Sequence, residues 1–163
     1  MRQLLEIKMK EKGIECRCIR CREIRENSIN PKALELKIQE FDASEGREFF
    51  LSFDETEQDK LVALCRLRFS SYSLQGKPHF IKALEGAALI RELHTYGAQV
   101  EVGEHGEGAS QHLGLGKKLL QKAEEISRQA GFKKLAVISG VGVRDYYRKQ
   151  GYELIDTYMI KTL

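Results

Sequence analysis

The chain lacks any long hydrophobic run, and this absence limits the classes of protein to which it can belong. No apolar stretch approaches the roughly 18 residues that a membrane span needs, and the N-terminal region lacks the apolar stretch of a signal peptide. Repeats and low-complexity segments are also absent. We therefore predict a cytoplasmic protein with no membrane span. Its 163 residues fit one domain with a full core plus a short appendage.

An excess of charge of one sign is also missing. The chain has 27 lysines and arginines against 24 aspartates and glutamates, a net charge of +3, so a polyanionic partner is permitted but not demanded. Residues 1–25 nevertheless hold eight basic and four acidic side chains, which places the basicity in the N-terminal segment. We accordingly divide the chain into a basic, cysteine-containing segment, 1–30, and one domain, 31–163.

Two common phosphate-binding motifs are absent, and a different glycine pair stands in their place. The chain has neither a dinucleotide-type Gly-x-Gly-x-x-Gly run after a strand nor a Walker Gly-Lys-Ser/Thr loop. Residues 111–116 instead read Gln-His-Leu-Gly-Leu-Gly and are followed by an amphipathic helical pattern. Closely spaced glycines let backbone amides approach an anion, to which the helix presents its free N–H groups. The pattern predicts an anion cradle, although a plain glycine-rich helix entry would read the same way.

Hydrophobic periodicity predicts alternating strands and helices. The predicted elements are a helix over 2–12, a loop through the cysteines, strands over 33–41, 47–53, 61–69 and 87–96, a helix from the cradle to about 130, a strand over 135–138, a short helix over 141–150 and a final strand over 152–160. The first two strands should form a hairpin, and the third should pair antiparallel to them. The apolar run 135–138 should pair in parallel with 87–96, which puts the cradle inside a right-handed strand-helix-strand unit.

The cradle and one downstream segment resemble GCN5-related N-acetyltransferases, the GNAT family. In that family the spacing Gln-x-x-Gly-x-Gly forms the loop that binds the acetyl-CoA pyrophosphate, and residues 143–152 resemble a segment with paired aromatics before a lysine, a glycine and another aromatic. The resemblance implies an α/β (α+β) fold with a mixed, mostly antiparallel sheet flanked by helices. It also implies acetyl-CoA as the cofactor, with pyrophosphate contacts from Gln111, His112, Leu113, Gly114, Leu115 and Gly116.

The same resemblance assigns candidate catalytic side chains. Tyr147 would lie near the CoA sulfur and give a proton or a hydrogen bond to the leaving thiolate, while Tyr146 packs the helix on the sheet; in the alternative, both rings only pack. Glu92 and His94 would lie beside the acetyl group, where either could orient or deprotonate an acceptor. They could equally form a structural hydrogen-bonded pair, and Leu93 to Thr95 could serve CoA only through main-chain amides.

A narrower resemblance covers nearly the whole chain. Six separated motifs occur in the order found in the C-terminal acetyltransferase half of the Elongator catalytic subunit family; they begin at residues 16, 67, 91, 111, 136 and 146. In that family the domain binds acetyl-CoA and works with a radical-SAM domain to carboxymethylate the wobble uridine of tRNA, and lysine acetylation has also been ascribed to it. The present sequence has no radical-SAM half, so we expect an excised piece or a short paralogue. The resemblance implies an acetyltransferase domain that binds and cleaves acetyl-CoA in a tRNA-linked way. The rival functions are a free-standing lysine or small-amine N-acetyltransferase and a non-catalytic acetyl-CoA or tRNA binding module.

The N-terminal cysteines and arginines complete the candidate sites. Cys16, Cys18 and Cys21 lie too close together for an ordinary disulfide framework. The resemblance implies that they are zinc ligands, with a fourth ligand from Cys65, His79 or His94; the alternative is a set of reduced thiols in a loop that contacts RNA. The clustered arginines favour a phosphate-facing surface for tRNA, and the candidates are Arg17, Arg20 and Arg22.

Overall fold

The computed structural model describes residues 2–25, 28–97 and 114–163. The helices are α1 (Arg2–Glu11), α2 (Ile19–Arg22), α3 (Ser71–Leu74), α4 (Leu115–Gln129) and α5 (Arg144–Arg148), with 3₁₀ turns over Pro31–Ala33, Lys82–Leu84 and Val141–Val143. The strands are β1 (Leu34–Ala43), β2 (Gly46–Glu55), β3 (Lys60–Phe69), β4 (Ala87–Thr95), β5 (Lys134–Ile138), β6 (Glu153–Ile155) and β7 (Tyr158–Thr162). No helix in these ranges is both long and apolar enough to cross a membrane.

The strands form one mixed sheet in the order β1-β2-β3-β4-β5-β7-β6. Neighbouring strands are antiparallel except β4 and β5, which are parallel. A parallel pair needs a crossover connection, and α4 lies in the connection between these two strands. The mixed, mostly antiparallel sheet and the strand-helix-strand unit that the sequence predicted are therefore confirmed.

The main core lies between this sheet and α4. The helix carries apolar residues on one face at helical spacing and packs them on β2, β3 and β4; the buried apolar residues are Leu115, Leu119, Leu120 and Ala123. The strand β3 presents Cys65, Leu67 and Phe69 to the same core. Burial of one leucine side chain contributes about 2 kcal/mol, so these contacts hold α4 firmly against the sheet.

The N-terminal segment is attached to this sheet through a few residues. Glu23 forms an isolated parallel bridge with Leu61, and the Ile24 amide donates a 3.0 Å hydrogen bond to the Leu61 carbonyl oxygen. The Ile24 side chain is fully buried in the main core. The cysteine-containing stretch before it is thereby held close to the beginning of β3.

Three boundaries differ from those expected from the sequence. The cysteine stretch is not entirely a loop, because Ile19–Arg22 forms the short helix α2. The expected single strand over 152–160 was wrong: it is split into β6 and β7 by a turn in which Asp156 takes a left-handed conformation, with φ of +55°. The short helix expected over 141–150 is a 3₁₀ turn followed by α5.

Candidate active site

The parallel strands β4 and β5 diverge at one end of the sheet. Their pairing ends at Ile90 and Val137, whereas β4 continues to Thr95. Beyond Ile90, the side of β4 that faces β5 has no strand partner among the described residues, so no described strand hydrogen-bonds its backbone amides and carbonyls on that side. An irregularity in the register of β3 and β4, between Arg66 and Leu67, lies near the same level.

A cavity of about 440 Å³ opens at this divergence. Three parts of the chain meet there: the end of β4, the start of α4 and the α5 region. The described residues that line it are Leu93, His94, Thr95, Gly114, Gly116, Lys117, Val143, Tyr146 and Tyr147. A cavity of this size is typical of a small-molecule or cofactor site. Its wall includes the start of α4, the end of β4 and the phenol rings of Tyr146 and Tyr147.

The start of α4 is built to approach an anion. Gly114 precedes the helix in the left-handed conformation, with φ of 62° and ψ of 25°, which glycine adopts without steric cost. The first amides of the helix have no intrahelical acceptor and carry its positive dipole end. A Cβ atom on Gly116 would lie 3.4 Å from the Tyr146 hydroxyl and 3.5 Å from Thr95 Cγ2, which are ordinary contact distances, so this position lies directly beside α5 and β4. Gln111, His112 and Leu113 lie outside the described residues, and their part in the cradle stays a prediction.

The two adjacent tyrosines occupy different environments in the same cavity wall. Tyr147 is 5% exposed and Tyr146 is 37% exposed, and their rings meet edge to face with centroids 5.2 Å apart. Burial raises the pKa of the Tyr147 phenol to about 12, and the neighbouring Tyr146 adds to the shift. Tyr147 therefore stays protonated at neutral pH and can act as a hydrogen-bond donor. Both rings line the cavity, so the choice of Tyr147 over Tyr146 for the thiol stays a prediction.

The two acid-base candidates on β4 are not equally placed. His94 is exposed, lines the cavity and packs its ring against Tyr96 with centroids 4.4 Å apart. Glu92 is not among the residues that line this cavity, and its Oε2 atom lies 3.8 Å from Arg66 Nη1. The described structure therefore brings His94, but not Glu92, to the cavity wall. Their catalytic roles stay predictions.

The three N-terminal cysteines lie close together, with Cys16 and Cys18 before α2 and Cys21 within it. The Sγ atoms of Cys16, Cys18 and Cys21 are all within 4.8 Å of one another. The pKa of Cys18 is lowered to about 7, chiefly by the Cys21 backbone amide and next by the Cys16 side chain. The pKa of Cys21 is raised, chiefly by its hydrogen bond with Cys16.

No fourth potential ligand joins this cluster among the described residues. Cys65 is fully buried in the main core. The Nδ1 atom of His79 accepts a hydrogen bond from the Ile81 amide at 3.0 Å, and His94 lines the cavity. Among the described residues the cluster therefore holds three thiols from one short segment, and none of the three candidates for a fourth ligand that the sequence offered joins it.

Arg17, Arg20 and Arg22, which lie among these cysteines or directly after them, differ in how far acidic neighbours neutralise their charge. Arg22 Nη2 lies 2.7 Å from Asp54 Oδ2 and 3.1 Å from Asp59 Oδ1, while Arg17 Nη2 lies 3.0 Å from Asp59 Oδ1. Burial alone would raise the pKa of Asp54, but the hydrogen bonds from Arg22 and other neighbours outweigh it and lower that pKa. Arg20 is exposed and has no ion pair with another described residue.

Basic residues are also concentrated elsewhere in the chain. Residues 114–163 hold ten basic and five acidic side chains. The basic excess is therefore not confined to the N-terminal segment, in which the sequence led us to place it. Lys117, which lines the cavity, belongs to this group. Its position directly after Gly116 at the helix start could have identified it from the sequence, whereas Val143, the first residue of the segment 143–152, had no expected role there.

Comparison with known proteins places these features in a family context. The profile of the Acetyltransferase (GNAT) family matches residues 18–152. The whole chain matches Elongator complex protein 3 of Danio rerio at 43% identity, covering 30% of that protein, and a tRNA uridine(34) acetyltransferase of Dehalococcoides mccartyi at 43% identity, covering 35% of it. The chain thus spans about a third of the length of these curated relatives.

A solved structure extends the likeness to three dimensions. The archaeal Methanocaldococcus infernus Elp3 with an N-terminal deletion superposes with a TM-score of 0.80 at 36% identity, over 99% of this chain and 38% of that one. The expected acetyltransferase fold and the resemblance to the Elongator catalytic subunit are both confirmed by these matches.

Proposed function

Because the chain belongs to the GNAT acetyltransferase family, we propose that it binds acetyl-CoA in the cavity between β4, α4 and α5 and cleaves the thioester there. One observation carries this proposal: the start of α4, the end of β4, which pairs with no described strand on its β5 side, and a buried tyrosine line the same cavity. Each of these suits a different part of acetyl-CoA. The helix start suits the pyrophosphate, the strand end suits the amide-containing pantetheine arm, and the tyrosine suits the sulfur.

The binding half of the proposal rests on the backbone. The free amides at the start of α4, from Leu115 to Lys117, bind the pyrophosphate, and the Lys117 ammonium adds a positive charge at the same end. The open side of β4, along Leu93 to Thr95, hydrogen-bonds the amides of the pantetheine arm as an additional strand would. Gln111, His112 and Leu113 complete the cradle.

The chemical half assigns Tyr147 to the leaving group. An acceptor nucleophile attacks the carbonyl carbon, the carbon–sulfur bond breaks and the sulfur keeps the electron pair. A thiol has a pKa of roughly 8.5, whereas the Tyr147 phenol has a pKa of about 12. Complete proton transfer from Tyr147 to the thiolate is therefore unfavourable. Tyr147 donates a hydrogen bond that stabilises the negative charge developing on sulfur, and the thiolate takes its proton from solvent as it leaves.

The acceptor must lose a proton in the same reaction. His94 is the better placed of the two candidate bases, because it lines the cavity while Glu92 is held near Arg66. With water as acceptor the products are acetate and CoA; with an amine they are an acetamide and CoA. In either case the acceptor proton leaves through His94 or directly to solvent.

We further propose that this acetyl-CoA chemistry is linked to tRNA, as in an Elongator-like modification of the wobble uridine. Support comes from the identity over the whole chain to a relative that is named tRNA uridine(34) acetyltransferase. Arg17, Arg20 and Arg22 are the proposed phosphate contacts. Among them Arg20 offers the least neutralised charge, since Arg17 and Arg22 already pair with aspartates.

We also propose that Cys16, Cys18 and Cys21 hold a zinc ion, which would fix the shape of the surface that carries the three arginines. Thiolates bound to one tetrahedral zinc lie about 3.8 Å apart, given a zinc–sulfur distance of about 2.3 Å. The three Sγ atoms, all within 4.8 Å of one another, need only small movements to reach that geometry. A water molecule or a donor from another part of the protein would complete the site, and the ion would fix the arginines relative to β3.

The test of the function is CoA release from acetyl-CoA, measured with a thiol-reactive dye with and without total tRNA. The proposal predicts release above the uncatalysed rate and faster release when tRNA is present. Release that is unaffected by tRNA but stimulated by polyamines or lysine peptides would favour a free-standing N-acetyltransferase. Acetyl-CoA binding without any release would favour a non-catalytic module.

A further inference from the structure

A buried carboxylate on α4 lies outside the cavity and has no role in the chemistry described above. Glu124 is 5% exposed. Its Oε1 atom accepts hydrogen bonds from the Tyr152 hydroxyl at 2.9 Å and from Lys161 Nζ at 2.9 Å. Its Oε2 atom accepts from Lys161 Nζ at 3.0 Å and from Arg128 Nη2 at 3.3 Å. The carboxylate is thus satisfied from α4 itself, from β7 and from the segment after α5.

Tyr152 connects this carboxylate to the cavity wall. Its ring is 2% exposed and meets the Tyr147 ring edge to face, with centroids 5.8 Å apart. The Tyr152 backbone amide donates a 3.1 Å hydrogen bond to the Tyr147 carbonyl oxygen. A movement of Tyr152 therefore changes both the backbone and the ring support of Tyr147.

The hydrogen bond between Glu124 and Tyr152 matters because of where Glu124 lies along α4. At 1.5 Å per residue, Glu124 lies roughly 13 Å along the helix from Leu115, where the helix begins at the cavity. The same rigid helix thus presents its free amides to the cavity at one end and holds Tyr152 near its other end. The distance between the anion-binding amides and the Tyr147 hydroxyl depends on how α5 is held against α4.

We propose that Glu124 and Tyr152 are positioning residues for Tyr147, an inference that rests on the acetyl-CoA function proposed above. The pair fixes the Tyr147 ring relative to the start of α4, so that its hydroxyl meets the thioester sulfur when the pyrophosphate is bound. Neither side chain touches the reacting atoms. Tyr147 remains the group that acts on the sulfur.

Stability alone gives a weak reason for such a pair at this place. Replacing a buried ion pair by apolar residues of similar volume is often neutral or stabilising, and a phenylalanine at position 152 would keep the ring contact with Tyr147. The Tyr152 hydroxyl and the Glu124 carboxylate add a fixed direction, because the 2.9 Å hydrogen bond between them sets where the Tyr152 ring lies. Direction is the property that a hydrogen-bond donor aimed at a leaving group requires.

The test compares Tyr152→Phe in two backgrounds, with CoA release as the assay. In the unmutated chain, loss of the hydroxyl should lower kcat by roughly tenfold to a hundredfold while leaving acetyl-CoA affinity within twofold. In the Tyr147→Phe background, the same substitution should cause no further loss of kcat, because the hydroxyl that it positions is already absent. Equal fractional losses in both backgrounds, or no loss in either, would overturn the proposal.

A matched control comes from the same helix. Ser127 is fully buried, and its Oγ donates a 2.7 Å hydrogen bond to the Ala123 carbonyl oxygen, a bond that does not involve Tyr152. Ser127→Ala should lower the melting temperature and leave kcat unchanged. If Ser127→Ala lowers kcat as much as Tyr152→Phe does, the effect is general loss of stability and the positioning role is wrong.

A second readout does not depend on turnover. Tyrosine labelled with ¹³C at Cζ gives one signal per ring, and the Tyr147 signal is identified by its loss in Tyr147→Phe. It should move in Tyr152→Phe and, less, in Glu124→Gln, which keeps an acceptor oxygen for Tyr152; it should not move in Ser127→Ala. An unmoved Tyr147 signal refutes the positioning role. A moved signal in a chain that does not bind acetyl-CoA refutes the proposed function instead.

Discussion

Replacing Gly116 with aspartate places a negative charge at the proposed pyrophosphate site without disturbing the fold. A Cβ atom at this position would be no closer than 3.4 Å to its nearest neighbour, the Tyr146 hydroxyl. An acidic side chain in the first turn of a helix contributes about 0.3–1 kcal/mol of stability through the helix dipole, and loss of a helical glycine adds a few tenths of a kcal/mol. The melting temperature of the Gly116→Asp protein should therefore equal or exceed that of the unmutated chain.

Acetyl-CoA binding should respond in the opposite direction. If the pyrophosphate binds at the start of α4, a carboxylate at this position faces it, and two like charges about 4 Å apart repel by about 4 kcal/mol at an effective dielectric constant of 20. Since 1.4 kcal/mol corresponds to a factor of ten, affinity should fall by roughly 10³-fold. Titration calorimetry measures this loss. Gly116→Asn is the matched control, because it adds the same volume without charge and should bind far more tightly than Gly116→Asp.

Two outcomes would refute this reasoning. Equal affinities for the Asp and Asn variants would mean that no anion lies near the start of α4. Unchanged affinity in both variants would mean that acetyl-CoA does not use this helix start at all. Repeating the titrations at high salt adds a check, because screening should narrow the difference between the two variants.

Four further predictions concern the other proposed sites. Tyr147→Phe should lower the rate of CoA release by roughly 10²-fold with little change in acetyl-CoA affinity, as stopped assays and calorimetry on the same protein can measure. Cys18→Ser should lose zinc in metal analysis and lower the melting temperature if the thiolates are structural ligands; a variant that retains one zinc per chain would contradict the site. Arg20→Ser should reduce the log–log salt slope of tRNA binding by about 0.7 to 0.9 at an unchanged melting temperature, and an unchanged slope would exclude it as a phosphate contact. Arg22→Ser should instead cost on the order of 3 kcal/mol of stability by leaving Asp54 without its main partner. Because the folded-state pKa of Asp54 is lowered, its stabilising contribution in the unmutated chain is present above its unfolded pKa and is lost as pH falls through the folded value. In urea titrations from pH 7 to pH 3, the free energy of unfolding should therefore fall less with decreasing pH in Arg22→Ser than in the unmutated chain.

The parts of the fold that could be predicted are those set by local patterns. The amphipathic period of α4 and the alternation in β3 each depend on residues that are neighbours in sequence, and both elements were found within a residue or two of their expected bounds. Gly114, directly before α4, meets a backbone requirement that is also local, since it takes a left-handed conformation. The crossover rule then placed β5 beside β4 without any tertiary information.

The parts that could not be predicted depend on contacts between distant residues. A glutamate at position 124 reads as solvent-exposed from the sequence, and only Tyr152 and Lys161, which are remote in the chain, make its burial tolerable. Arg22 reads as a free basic residue until Asp54 is found beside it. The turn between β6 and β7 was missed because Asp156 supplies its left-handed conformation without a glycine or a proline.

The most direct test of acetyl-CoA binding at this cavity is an amide chemical-shift titration of the ¹⁵N-labelled chain with acetyl-CoA. We predict saturable shifts at the first amides of α4, including Leu115, Gly116 and Lys117, and at the open end of β4 from Leu93 to Thr95. Smaller shifts should reach α5 through Tyr147. Absence of saturable shifts, or shifts confined to residues away from β4 and α4, would contradict the assignment of this cavity as the acetyl-CoA site.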